Sequence, residues 1–371
     1  MASSAERRLN SALTSIRGRL QVVRERIQQL GQVRISMLGF KGVGKSTLLW
    51  AMFNSLDDAM KKAAADGAAA GYAPVREPSA NMYLSQTNEL VVEAFAEKDT
   101  NTLELAPTPS SDDFLRFEFE ITRVGSLHQT RWSRIRFCIA DYPGAWLERD
   151  AMLDPEVEDL QNFIYASHVL IAPIDTPSMM NDTWHRRTNR PEQIKNWLDL
   201  SISSKRRSSP MLILLVPVRC EEYLRRTDGA RALQDLTRER YADIIHGLID
   251  SPAGDHVAIA ITPVKTFGTA SYQGQREGAG KREYEPRFAA DHIESVAEPD
   301  GAEQPLLYII SFLLNCRRLA RNATTTQIQE YLNWNQDLDT YLSELQKIRK
   351  VGRDGFEIVH DPQHLLQDWQ A

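Results

Sequence analysis

The segment Gly39-Phe-Lys-Gly-Val-Gly-Lys-Ser-Thr47 fits the pattern G-x-x-x-x-G-K-[ST], and few short patterns restrict a fold as strongly. The β-rich apolar run Val33-Arg-Ile-Ser-Met-Leu38 precedes it, and Leu48-Leu-Trp-Ala-Met-Phe53 follows with a helical composition. Strand, glycine loop and helix in that order make a cradle for phosphate. Gly39, Gly42 and Gly44 let the backbone curl so that N–H groups from Lys41, Gly42, Val43 and onward to Thr47 point at phosphate oxygens. The new helix presents its positive end to the same anion. Lys45 can reach the β- and γ-phosphates, and the Ser46 hydroxyl can ligate Mg²⁺. A glycine-rich turn that binds nothing would leave Lys-Ser-Thr at the helix start without a role. The sequence predicts a nucleoside-triphosphate site.

The 371 residues can hold one large domain or two modest ones, and the composition is that of an ordinary folded protein, 42% hydrophobic and 25% charged. A net charge of −6 argues against a general nucleic-acid binder. Cys138, Cys220 and Cys316 are scattered without ligand-like spacing and read as reduced thiols of a cytoplasmic protein. Charges occupy the N-terminus where a secretion signal would need an apolar core. The apolar run Leu306-Leu-Tyr-Ile-Ile-Ser-Phe-Leu-Leu314 is too short to span a bilayer, so it is expected as a buried helix and no transmembrane segment is expected.

Residues 1–31 carry Leu9, Leu13, Ile16, Leu20, Val23, Ile27 and Leu30 at a 4-3 spacing, the seam of an amphipathic heptad helix. Ile328, Tyr331, Leu338, Leu342 and Leu345 repeat a related spacing in a C-terminal helical arm, residues 323–371. Both coiled-coil-like termini are candidate contacts with a protein partner or a second copy of the chain, although packing on the chain's own domain would give the same pattern. Between them, residues 32–322 read as one nucleotide-binding domain. Glu89–Phe95, Phe114–Ile121 and Arg134–Ala140 look like strands, the second alternating as a half-exposed strand near a sheet edge. Val169–Ile174 and Met211–Val216 carry the continuous apolar runs of parallel strands covered on both faces, and His256–Thr262 reads as the last strand. Strands alternating with helical spans predict an α/β, doubly wound, three-layer sheet. Residues 270–303 are Gly-rich and charged, and are expected to be an insertion loop.

Asp141-Tyr-Pro-Gly144 stands at the end of the Arg134–Ala140 strand. In a phosphate-loop fold an Asp at that place holds the Mg²⁺ shell, and Gly144 can offer its N–H to a γ-phosphate because no side chain blocks the approach. Together, the Gly39–Thr47 loop and this DxxG segment resemble the translation-factor-related (TRAFAC) class of P-loop GTPases, over about Val33 to Asn322. The string Asp141-Tyr-Pro-Gly-Ala-Trp-Leu147 is similar to the DYPGEWL segment of the bacterial YcjX-like stress GTPases, with Ala145 in place of their Glu, and to GTPase modules of bacterial conflict systems.

The resemblance implies a Ras-like sheet, GTP and GDP with Mg²⁺ as ligands, and a base-reading N-K-x-D motif. That motif is absent. Pro217-Val-Arg-Cys-Glu221 stands in its place, so Arg219 is expected to stack on the base and Glu221 to accept the guanine N–H groups that adenine lacks. Thr262-Pro-Val-Lys265 is the candidate second base loop. Thr108 is the candidate switch threonine capping Mg²⁺ beside Ser46 and Asp141, with Thr100 and Thr102 as alternatives. Ala145 and Trp146 follow Gly144 where many GTPases carry a water-orienting Gln, which predicts slow intrinsic turnover. An arginine from a partner or a second protomer would accelerate it, and the basic segments His185–Arg190 and Lys205–Arg207 are candidates to supply one, although solvated loop charges would read the same. The expected function is a GTP-binding, slowly hydrolysing molecular switch. An ATPase subunit of an assembly, and a non-hydrolysing subunit that nucleotide merely stabilises, are the alternatives.

Overall fold

In a computed structural model of the chain, residues 32–65, 72–76, 102–104, 115–123, 134–149, 154–204, 210–268, 270–277, 284–289, 299–322 and 356–366 are described. Both heptad seams, the Glu89–Phe95 run, Thr100, Thr108 and Lys205–Arg207 lie outside them.

The chain runs β1 (Gln32–Met37), α1 (Lys45–Ala65), β2 (Tyr72–Arg76), β3 (Thr102–Glu104), β4 (Leu115–Arg123), β5 (Arg134–Asp141), α2 (Pro155–Ala166), β6 (Val169–Asp175), α3 (Pro191–Ser204), β7 (Met211–Val218), α4 (Gly229–Arg240), α5 (Ala242–Ile249), β8 (Val257–Ile261), β9 (Ser271–Glu277), β10 (Tyr284–Ala289), α6 (Gln304–Asn322) and β11 (Glu357–His360). An eight-stranded sheet takes the order β11-β8-β7-β6-β1-β5-β4-β2. Strands β5, β1, β6, β7 and β8 are mutually parallel, while β4, β2 and β11 join antiparallel. The fold is α/β.

Alternation along the parallel strands builds two cores. Leu212, Leu214 and Val216 of β7 point to one face with Val33, Ile35 and Met37 of β1, beneath Leu48 and Trp50 of α1 and Leu306 and Ile309 of α6. Ile213 and Leu215 point to the other, with Leu170, beneath Leu160 and Ile164 of α2, Leu198 of α3 and Ile244 of α5. Each such side chain contributes roughly 1.5–3 kcal/mol on leaving water, so runs apolar on both faces become central strands. At α2, Asp154 accepts from the Glu156 N–H at 3.1 Å and Pro155 follows, capping the helix start.

The Phe114–Ile121 strand alternates as predicted, with Phe117 buried between exposed Arg116 and Glu118, and lies near the sheet edge with only β2 outside it. Three expectations change. Residues 270–303 are more than a loop: β10 pairs antiparallel with β9 on one side and with β3 on the other, and the Phe288 ring meets those of Tyr272 and Phe267 at a tilt. Thr102, the alternative switch residue, is part of β3 in that second sheet. Residues 356–366, assigned to the C-terminal arm, return to the main sheet as β11 and bury Leu365 and Leu366 completely. No helix among the described residues is long and apolar enough to cross a membrane.

Candidate functional site

The loops leaving the carboxyl ends of β1, β5, β6, β7 and β8 converge where neighbouring strands diverge to either side of β1, the crevice in which open α/β sheets bind ligands. The first loop turns through Gly42 and Gly44 at φ +84° and +93°, a conformation that side-chain-bearing residues rarely adopt. It feeds directly into α1, which begins at Lys45. Lys45 is buried and folds back, its Nζ donating to Gly39 O at 2.8 Å and Phe40 O at 3.4 Å. Burial lowers its pKa to about 8, partly opposed by Asp141.

From the end of β5, Asp141 reaches across the loop. Ser46 Oγ donates to its Oδ2 at 2.9 Å, and the Tyr142 N–H donates to its Oδ1 at 3.1 Å. The Tyr142 ring lies 5.6 Å from the Lys45 ammonium, and its hydroxyl donates to Met37 O at the end of β1. Gly144 is pressed against the loop. A Cβ there would stand 2.4 Å from both Lys41 N and Phe40 C, and 2.9 Å from Lys45 Nζ. A 3₁₀ turn then runs from Gly144 to Glu148, with Trp146 buried and Ala145 exposed. Lys45, Ser46, Asp141 and Gly144, predicted from segments about a hundred residues apart, are thus brought together.

The other end of the site lies beyond β6 and β7. Arg219 follows β7 at φ 57°, and its Nη1 donates to Gly42 O at 3.0 Å and to Asp175 Oδ1 at 2.8 Å. Both charged side chains are buried, 6% and 0% exposed. Asp175, the last residue of β6, also accepts from the Ser178 N–H and hydroxyl, while Asn189 bonds its backbone N–H and C=O at 2.8 and 3.0 Å. Glu221 is 1% exposed, and its Oε1 accepts from Phe267 N at 2.7 Å and Thr266 Oγ1 at 3.3 Å. Burial raises its pKa to about 7 against those hydrogen bonds. Arg219 Nε, Glu221 Oε2 and Thr262 Oγ1 are buried without a hydrogen-bond partner among the described residues. Such atoms are costly unless something meets them.

Of the segment expected as a second base loop, neither Thr262 nor Lys265 meets Glu221. Thr262 is fully buried at the end of β8, and the Lys265 ammonium pairs with Asp300 at 2.8 Å, while Thr266 and Phe267 meet Glu221. Gly268, in a left-handed turn at φ 59°, was the available signal for that placement. Asp175 and Asn189 also escaped the sequence reading, although Asp175 ends an apolar strand just as Asp141 does. Within His185–Arg190, His185 and Asn189 are interior, and burial beside Arg240 lowers the His185 pKa to about 4.

Chemically, the site offers a ring of backbone donors, one ammonium, and a hydroxyl–carboxylate pair at one end, with unpaired donor and acceptor atoms at the other. Among the described residues no cluster of three or more His, Cys, Asp or Glu is arranged to hold a metal. Ser46 and Asp141 are hard oxygen donors of the kind Mg²⁺ shares with water and phosphate. No protein-family model matches this sequence, and no curated protein matches it.

Proposed function

We propose that this chain binds a nucleoside triphosphate across the carboxyl ends of β1, β5 and β7, prefers GTP, and hydrolyses it slowly as a molecular switch. The observation that carries the reading is the Ser46–Asp141 hydrogen bond at 2.9 Å across 95 residues of sequence. It sets a hydroxyl and a carboxylate beside Lys45 at the mouth of a loop whose glycines have positive φ. The strand order supports the expected three-layer, Ras-like P-loop sheet: the loop leaves the central strand β1, and Asp141 ends the parallel strand beside it.

In this reading the Lys41–Thr47 N–H groups and Lys45 bind the phosphates. Ser46 and Asp141 would hold Mg²⁺, which supplies charge neutralisation on the phosphate oxygens. Gly144 offers its N–H to the γ-phosphate, which no side chain there could approach. Arg219 brackets the phosphate loop through Gly42 O and against Gly44, and Glu221 Oε2 would be the base acceptor. Slow turnover follows from Ala145 and the buried Trp146, neither able to orient water. The output passes through a protein partner or a second copy of the chain at the terminal helices. The resemblance points to bacterial stress or defence as the setting.

A specific observation favours a second reading, an adenine nucleotide. At a pKa near 7 a share of Glu221 is neutral, and a neutral carboxyl can donate to adenine N1. Titrating the purified full chain with fluorescent GTP and ATP analogues across pH 6 to 8.5 separates the two. GTP preference strengthening with pH supports guanine. ATP preference throughout supports an ATPase subunit, and binding of neither overturns the site.

A further inference from the structure

We infer that Arg190 is a catalytic arginine supplied by the chain itself, held aside by Glu148 until the γ-phosphate is in place. The inference rests on the nucleotide reading above. The Arg190 guanidinium carbon lies 4.8 Å from the ring centroid of Phe40, the second residue of the phosphate loop. The backbone carbon of that same Phe40 and the Lys45 ammonium both abut Gly144, at 2.4 and 2.9 Å from where its Cβ would be. One loop residue therefore separates a guanidinium from the place where a γ-phosphate would meet Lys45 and Gly144.

The way Arg190 is mounted argues for use beyond packing. Its φ is +47°, a left-handed backbone that a side-chain-bearing residue holds at a cost larger than a half-exposed ion pair contributes. The preceding Asn189 is bolted to both backbone groups of Asp175, so the base of the arm is fixed. The guanidinium itself is held by side chains and one carbonyl that can be exchanged. Nη1 pairs with Glu148 Oε1 at 2.6 Å and approaches Gln193 Oε1 at 3.4 Å, while Nε donates to Arg187 O at 2.9 Å. The arginine is 29% and the glutamate 41% exposed.

Glu148 closes the 3₁₀ turn that begins at Gly144. The residue that would sense the γ-phosphate and the residue that restrains Arg190 are thus one turn apart. Ordering Gly144 against the γ-phosphate shifts the turn and releases the guanidinium. A water oxygen then bonds to the γ-phosphorus as the bond to the β–γ bridging oxygen breaks. The nucleoside diphosphate leaves with that electron pair, and the water proton ends on the released phosphate. The two-pronged guanidinium stabilises the charge that builds on the transferring group.

The test compares the full chain with Arg190→Ala, Arg190→Lys, Glu148→Gln and Arg231→Ala in GDP affinity, single-turnover hydrolysis and capture of GDP with aluminium fluoride, which mimics the transferring phosphoryl group. Arg190→Ala should slow hydrolysis by about 10³-fold and lose the aluminium fluoride complex, with GDP affinity unchanged. Arg190→Lys should recover little, because an ammonium lacks the fork. Glu148→Gln should speed hydrolysis by roughly tenfold, and Arg231→Ala, at an exposed arginine of α4, should match the parent. Arg190→Ala hydrolysing at the parent rate, or losing GDP affinity in proportion to rate, overturns the inference. So does Glu148→Gln slowing the reaction, or a parent chain that binds GTP without hydrolysing it. A parent chain that binds no nucleotide overturns the underlying reading instead.

Discussion

The two ends of the site are built on opposite plans. At the proposed phosphate end every reactive side chain already has a protein partner: Lys45 on Gly39 O, Ser46 on Asp141. At the proposed base end, Arg219 Nε and Glu221 Oε2 are buried and unmatched among the described residues. A self-satisfied cradle can stay folded without ligand and trade its internal bonds for phosphate bonds at little reorganisation. Unmatched atoms instead penalise the empty site and any ligand that fails to pair with them. The first plan provides affinity, and the second provides discrimination.

One bridge joins the two ends, Asp175–Arg219–Gly42 O, and cutting it is the largest effect expected. Removing one partner of a buried, hydrogen-bonded pair leaves the other charge uncompensated, typically at about 3–5 kcal/mol. Asp175→Ala and Arg219→Met should therefore each lower unfolding stability by about that amount in urea, and the double variant should lose clearly less than the sum of the two. Additive losses in the double variant would mean that the two charges do not compensate each other. Next in size is the phosphate end itself. Lys45→Ala should weaken GDP and ADP binding alike, by about 10²–10³-fold in a fluorescence titration, since it deletes a charge-assisted contact to a shared group. A variant that discriminated more or less between the bases than the parent would blur the division drawn here.

At the base end, Glu221→Gln should leave phosphate affinity intact and shift the GTP to ATP ratio by about 10–100-fold. It carries a second signature. Folding raises the Glu221 pKa from the ordinary range to about 7, so the folded chain keeps a proton that the unfolded chain loses between those values. This group therefore lowers stability progressively as pH rises from about 4.5 to 7, by up to about 3 kcal/mol, with no further change above. Glu221→Gln should flatten that part of the melting-temperature profile. An unchanged profile would mean that the carboxylate is not desolvated.

The contrast also governs what could be read from the chain. The phosphate end was legible because its geometry is local. Two glycines at positive φ, one Lys and one hydroxyl fall within one turn and the start of one helix, and Asp141-Tyr-Pro-Gly144 repeats the logic on a neighbouring strand. The parallel strands were legible for a related reason: a run such as Met211–Val216, apolar on both faces, can rest only inside a sheet. The base end depends on which loops meet. Glu221 was chosen by its distance past β7, but its partners Thr266 and Phe267 were fixed by where β8 stops and by the turn at Gly268. Sequence spacing alone pointed to Thr262 and Lys265, whereas Thr266 and Phe267 are the residues that meet Glu221. Asp175 was passed over because its partner, Arg219, lies on the next strand, a pairing that only the sheet order supplies. The same holds for β11, whose short Glu357–His360 run has no pattern of its own and takes its place from the open edge of β8.

The smallest effect expected tests whether the cradle really exchanges internal bonds for phosphate bonds. In the nucleotide-free fold, burial holds Lys45 near pKa 8. Phosphate oxyanions beside the ammonium favour its charged form, so the bound state keeps the proton to higher pH. Below about pH 7 both states are protonated and affinity should be flat. As pH rises through 8, the empty site loses the proton and binding must restore it, so affinity should fall by up to about tenfold per pH unit, levelling once the bound form also titrates. The comparison is with Lys45→Arg, whose guanidinium does not titrate in this range and whose profile should stay flat apart from ionisation of the nucleotide itself. Parallel profiles for the two proteins would mean that the lysine does not face the phosphates, and that its bonds to Gly39 O and Phe40 O are permanent features of the loop.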